Sequence, residues 1–247
     1  MQYLKDFLKG VPGFEAAYRF ARQRYESAQL EGKAPDEVFS EIWSGNKWGG
    51  TDSVSGRGSD LAQTAVVRET LPRVFRDYGV KSMLDVPCGD FHWMRHVELT
   101  GVDYIGGDIV GELVERNAAQ YRAENLSFRK LNLLEDELPR VDLIFCRDCL
   151  VHLSFEHVFA ALARICRSES GYLMTTTFVD RRKNTDIATG NWRTLNLTVA
   201  PFEFPEPVLV VNEKCTEDGG QFRDKSLGLW KVSDVRAALS VAARRSL

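Results

Sequence analysis

The stretch Met83-Leu84-Asp85-Val86-Pro87-Cys88-Gly89-Asp90-Phe91 constrains the fold more than any other. A short apolar run ends in a carboxylate, and a turn built on Pro87 and Gly89 follows at once. From Phe91 to Val97 apolar residues return at helical spacing. The stretch therefore predicts a buried strand, a tight loop and the start of a helix. Such a loop offers free backbone N–H groups and the positive end of a helix dipole at the mouth of a sheet. In open α/β sheets the ligand crevice lies there, beyond the carboxyl ends of the strands.

Further strands follow in order. Val102 to Asp108 is a second apolar run closed by a carboxylate, and Leu126 to Leu133 a third. Val141 to Leu153 reads as a fourth strand and its loop, and Gly171 to Phe178 as a fifth. Amphipathic helices are predicted over 60–78, 111–124 and 155–167, the last burying Phe159, Leu162, Ala163 and Cys166. Ser59 is a candidate cap for the first of them. Two terminal runs, Val208 to Val211 and Leu227 to Val232, are joined by a loop with no crossover helix, so they are predicted to pair antiparallel. The expected fold is α/β: a Rossmann-like doubly wound sheet of five parallel strands plus a C-terminal antiparallel hairpin. A nicotinamide-binding Rossmann domain would end on another parallel strand instead.

Residues 1–58 read as an N-terminal helical extension and lid loop, and 59–247 as the main domain. Phe14, Ala17, Tyr18, Ala21 and Tyr25 share one helical face, and Val38, Phe39, Ile42 and Trp43 another. The glycine- and serine-rich run from Trp48 to Ser59 is a loop with two anchors, Trp48 and Arg57.

The chain of 247 residues has a net charge of −3 and 27% charged residues, which argues against bulk-charge binding of nucleic acid. No apolar run reaches membrane-spanning length, so no membrane partner is expected. The five cysteines are odd in number and sit in apolar segments, as expected of free thiols in a reducing, cytoplasmic compartment. Cys146-x-x-Cys149 lacks a second pair, and no metal site is evident.

Several residues carry chemistry on their own terms. Asp85, at a strand tip, would repel a pyrophosphate and suits a ligand with an ammonium group; the G-x-G-x-x-G fingerprint is absent. Asp108, just over twenty residues on, can accept both hydroxyls of a ribose or cap the next helix. Arg147 and Asp148 close the fourth strand. His152 lies four residues beyond Asp148, and a His–Asp pair there could take a proton from a hydroxyl. The alternative is a structural histidine.

Leu84-Asp85-Val86-Pro87-Cys88-Gly89 resembles motif I of the class I S-adenosylmethionine-dependent methyltransferases. It departs from that motif at Pro87 and Phe91, where the family usually has glycines. The resemblance covers roughly residues 80–235. It implies S-adenosyl-L-methionine as cofactor, held by Asp85, Pro87 and Gly89, with Asp108 on the ribose. Asn132 and Leu133 would meet the adenine, while Arg57 and Arg147 complete the cofactor set, Arg57 as a fork for the methionine carboxylate. His152 and Asp148 are the candidate catalytic residues. The implied reaction is methyl transfer, with O-methylation of a small molecule, sugar or peptide side chain favoured, and Trp48, Trp93, Trp192 and Phe202 as stacking walls. The protein would be a monomer or homodimer. A catalytically silent S-adenosylmethionine-binding module and a nicotinamide-dependent oxidoreductase are the competing readings.

Overall fold

The computed structural model describes residues 30, 32–50 and 52–245, with side chains described to residue 241. The helical face expected around Phe14 to Tyr25 lies outside the described residues.

Seven strands form one sheet: β1 (Ser82–Asp85), β2 (Asp103–Asp108), β3 (Leu126–Lys130), β4 (Leu143–Cys146), β5 (Tyr172–Phe178), β6 (Leu209–Asn212) and β7 (Lys225–Lys231). Their spatial order is β3-β2-β1-β4-β5-β7-β6. The first five run parallel, and β7 pairs antiparallel with both β5 and β6. The expected architecture is thus the observed one. The short central strands are apolar on both faces, as strands covered on two sides must be. Met83, Leu143, Phe145 and Met174 point into one core layer, and Leu84, Ile144, Cys146 and Leu173 into the other.

Five helices are described: α1 (Pro35–Ser44), α2 (Ala65–Asp77), α3 (Gly111–Gln120), α4 (Phe155–Arg167) and α5 (Val232–Arg245). Helix α2 buries Val67, Leu71, Val74 and Phe75 in the first layer. Its start is not Ser59, which lies in a preceding 3₁₀ turn; the N-cap position is Thr64. Helix α4 begins at Ser154, whose hydroxyl accepts from the His157 N–H, and buries Val158, Ala161, Leu162, Ile165 and Cys166. That face is rotated from the expected one: Val158, Ala161 and Ile165 join Leu162 and Cys166 in the second core layer, Phe159 packs against it only partly buried, and Ala163 is not among its members. Helix α5, unread in the sequence, sends Val235 and Leu239 to the same layer. No described helix is long and apolar enough to cross a membrane.

The largest departure follows β1. No α-helix forms after the loop; Met94–His96 makes one 3₁₀ turn. The competitor is tertiary packing. Phe91 takes a left-handed backbone (φ 57°) and its ring enters a cluster with Tyr104, Tyr121 and Phe128, centroids 5.0–5.1 Å away. Burying that aromatic surface outweighs continuing a short helix. The loop consequently has no helix dipole behind it.

Candidate active site

Parallel pairing aligns Asp85 with Gly106, and Asp108 lies two residues further along β2, so both carboxylates emerge on one face of the sheet. A cavity of about 660 Å³ opens above them and runs across the tips of β1, β2, β4, β5 and β7.

Both carboxylates are buried, at 3% and 5% exposure. The Tyr104 hydroxyl donates to Asp85 at 2.6 Å. Asp108 accepts the backbone N–H of Gly89 at 3.1 Å and of Val110 at 3.0 Å. Burial pushes Asp85 up to about 7, against the Tyr104 hydrogen bond and with help from neighbouring Asp108. Burial likewise raises Asp108 to about 6, restrained by its N–H donors. Two proton-hungry carboxylates in one apolar crevice suit a ligand bringing positive charge and hydroxyl donors.

Gly89 is required by contact and by conformation. Its φ is 54°, and a Cβ there would lie 2.3 Å from the Ser55 Oγ. Ser55 belongs to the loop from Trp48 to Ser59, which packs against the β1 loop. Asp90 holds it: the Ser53 hydroxyl donates to its carboxylate at 2.9 Å, the Val54 N–H at 3.1 Å and the Ser55 hydroxyl at 3.4 Å. Arg57 lies exposed on that loop and lines the cavity. Pro87, Leu133 and Asn132 line it too, as does Leu131. The Asn132 amide oxygen accepts the Leu134 N–H at 3.0 Å, shaping the turn after β3.

Arg147 and Asp148 occupy the cavity floor with different roles from those expected. The Arg147 guanidinium reaches Glu213 at 2.7 Å, the Gly58 carbonyl at 2.8 Å and Asp148 at 3.2 Å. It is buried and committed, so it braces the floor rather than gripping a ligand. Asp148 also accepts from the Lys225 ammonium at 2.6 Å. Burial alone would raise the Asp148 carboxyl, but the Lys225 and Arg147 cations outweigh it and hold it well below the usual carboxylate range. A carboxylate so held is a fixed negative charge, unsuited to taking a proton near neutral pH.

His152 presents the opposite case. Its Nδ1 lies 3.0 Å from the Asn191 carbonyl, which can only accept, so Nδ1 carries the hydrogen and Nε2 keeps a lone pair. Burial lowers its pKa to about 4, opposed by that hydrogen bond and by the Asp148 charge. The imidazole is neutral at physiological pH. Trp48 packs on it with ring centroids 5.0 Å apart.

Of the four expected stacking walls, Trp48 and Trp192 line the cavity. Trp93 also borders it, but is largely buried against Phe145 and under Arg147. Phe202 is wholly buried between Phe155 and Phe159 and is a core residue. The sequence reading passed over Tyr104, Asp90, Glu213, Lys225 and Phe222. The charges in Glu213 and Lys225 flank ordinary strands, and only their burial, at 2% and 5% exposure, marks them out.

No family model matches the chain, and no curated protein matches it by sequence. Solved structures do match by shape. Human N-acetylserotonin methyltransferase in complex with SAM aligns with TM-score 0.52 and 15% identity over 90% of this chain and 68% of that one. The N-methyltransferase NodS from Bradyrhizobium japonicum WM9, in complex with S-adenosyl-L-homocysteine, aligns with TM-score 0.56 and 15% identity over 77% of this chain and 98% of that one. The fold is that of the class I methyltransferases.

Proposed function

We propose that the protein is an S-adenosylmethionine-dependent methyltransferase acting on an oxygen of a small molecule, sugar or peptide side chain. The observation that carries this reading is the pair of buried carboxylates, Asp85 and Asp108, at neighbouring strand tips over one cavity. Their chemistry fits the cofactor: cationic at its amino-acid end and bearing two ribose hydroxyls. Asp108 and the Gly89 loop would hold the ribose, and Asp85 the amino-acid end. Leu133 and Asn132 would border the adenine, and Arg57 would meet the methionine carboxylate. The neighbours' bound SAM and S-adenosyl-L-homocysteine support the same assignment.

When bound, the cofactor supplies an electrophilic sulfonium methyl. The chain's part is to bind, orient and handle a proton. His152 Nε2, with its lone pair free, takes the proton of the acceptor hydroxyl as the oxygen attacks. The fixed charge of Asp148 steadies the imidazolium so formed. Lys225 and Arg147 keep Asp148 ionised, and the closed Ser53–Gly58 loop excludes water.

Calorimetry with S-adenosylhomocysteine tests the cofactor assignment. Wild type binds it, and Asp108→Ala weakens binding about tenfold through lost hydrogen bonds; no binding by wild type overturns the reading. His152→Ala keeps that affinity and slows turnover, by about 10²-fold or more if its proton transfer is lost. Because His152 titrates near 4, wild-type turnover shows no histidine inflection between pH 6 and 8 from this group. An inflection that His152→Ala removes would contradict the buried neutral imidazole.

A further inference from the structure

The part of the cavity over β4, β5 and β7 is lined differently from the part over β1 and β2. Trp192 is 41% exposed, one of few large apolar side chains left uncovered among the described residues. Its ring meets Phe222 edge-on at 4.8 Å and Phe178 at 6.0 Å, so three rings form one wall. Facing the same space are His152 and the Trp48 ring stacked on it.

This wall is rigidly tied to the proposed base. The Asn191 carbonyl bonds to His152, and Trp192 is the next residue. Gly190 N–H donates to the His152 carbonyl at 2.8 Å, and Arg193 N–H to the Val151 carbonyl at 3.1 Å. The buried Arg193 guanidinium adds bonds to the Leu150 and Leu153 carbonyls at 2.7 and 2.8 Å. Trp192 is thus left exposed between Asn191 and Arg193, both of which are held by hydrogen bonds. An exposed indole on a fixed backbone, aimed into a cavity, is surface held ready for a ligand.

Charge narrows the ligand. Arg147 and Lys225 are balanced by Glu213 and Asp148, and Arg181 is paired with Asp224 at 2.7 Å. Glu217 and Asp218 also line this end, which leaves it net negative among the described residues. Arg57, the other cation lining the cavity among the described residues, serves the cofactor carboxylate under the proposed function.

We propose that the acceptor is an aromatic hydroxyl compound, uncharged or cationic, whose ring stacks on Trp192 and Phe222 while its hydroxyl faces His152 Nε2. This rests on the methyltransferase reading above and names its substrate class.

The test is calorimetric titration of protein saturated with S-adenosylhomocysteine. The probes are tyramine, 4-hydroxybenzoate and the saturated analogue 4-(2-aminoethyl)cyclohexanol. Tyramine is expected to bind at least tenfold more tightly than either other probe. Trp192→Ala is expected to cut tyramine affinity tenfold or more while S-adenosylhomocysteine affinity stays at the wild-type value. Equal binding of tyramine and 4-hydroxybenzoate overturns the charge preference. Equal binding of the saturated analogue, or wild-type tyramine affinity in Trp192→Ala, overturns the aromatic clamp, as does no binding of tyramine at all. Failure of S-adenosylhomocysteine itself to bind is read in the first titration and overturns the parent reading instead.

Discussion

Asp85 and Asp108 hold their protons more tightly in the folded protein, with values raised to about 7 and about 6, than in the unfolded chain, where a carboxyl titrates near ~3.9. Between about pH 4 and those folded values the folded state binds more protons. Stability from these groups is therefore fully present below about pH 4 and is lost as pH rises through 6 to 7. Binding a cation reverses the preference, since it favours the ionised carboxylates. Asp85→Asn should raise the melting temperature of the ligand-free protein at pH 8 and weaken S-adenosylhomocysteine binding at the same pH. Tyr104 can still donate to the new amide oxygen, so the cavity keeps its shape. A variant that melts no higher at pH 8 would show that Asp85 carries no buried charge.

The loop from Ser53 to Gly58 is an element with little secondary structure of its own, kept in place from two sides. Asp90 accepts from Ser53, Val54 and Ser55, and Arg147 donates to the Gly58 carbonyl. Ser55 in turn presses on Gly89, which ties the loop to the strand tip that carries Asp85. Asp90→Ala leaves several of these donors without a partner, at about 1–3 kcal/mol in total if water replaces the rest. Limited trypsin digestion should then cut after Arg57 about tenfold faster or more, while the sheet stays resistant. Unchanged cleavage would mean that the Arg147–Gly58 bond alone holds the loop shut.

Across the whole molecule, four charges lock distant parts of the chain together. Arg147 follows β4, Glu213 follows β6, Lys225 opens β7, and Asp148 sits at a left-handed φ of 52° between them. Their ion pairs span up to 77 sequence positions, the distance between Asp148 and Lys225. Arg147→Ala leaves Glu213 with only the longer 3.6 Å contact to Lys225, and its second oxygen already lacks a hydrogen-bond partner. The expected loss is about 3 kcal/mol, because two buried carboxylates, Asp148 and Glu213, must then share the single cation of Lys225. A urea-unfolding midpoint equal to wild type would show that the network contributes no net stability.

The strand segments, the parallel run of the first five, the antiparallel pairing of the last two and the carboxylates at the tips of β1 and β2 were legible in the sequence. Each rests on local chemistry: apolar runs of strand length, turn residues between them, and a charge that must stop a buried run. The missing helix after the β1 loop was not legible. Phe91 looks like any helical apolar residue until Tyr104, Tyr121 and Phe128, from two other elements, surround it. The roles of Arg147 and Asp148 were equally hidden, since Glu213 and Lys225 arrive from some 65 or more residues away. Sequence determined which segments could be strands and where their polar ends lie, because those preferences act within a few residues. Only the tertiary structure decided which polar ends are neutralised by partners and which face the cavity free, because desolvation and ion pairing depend on what the fold brings alongside.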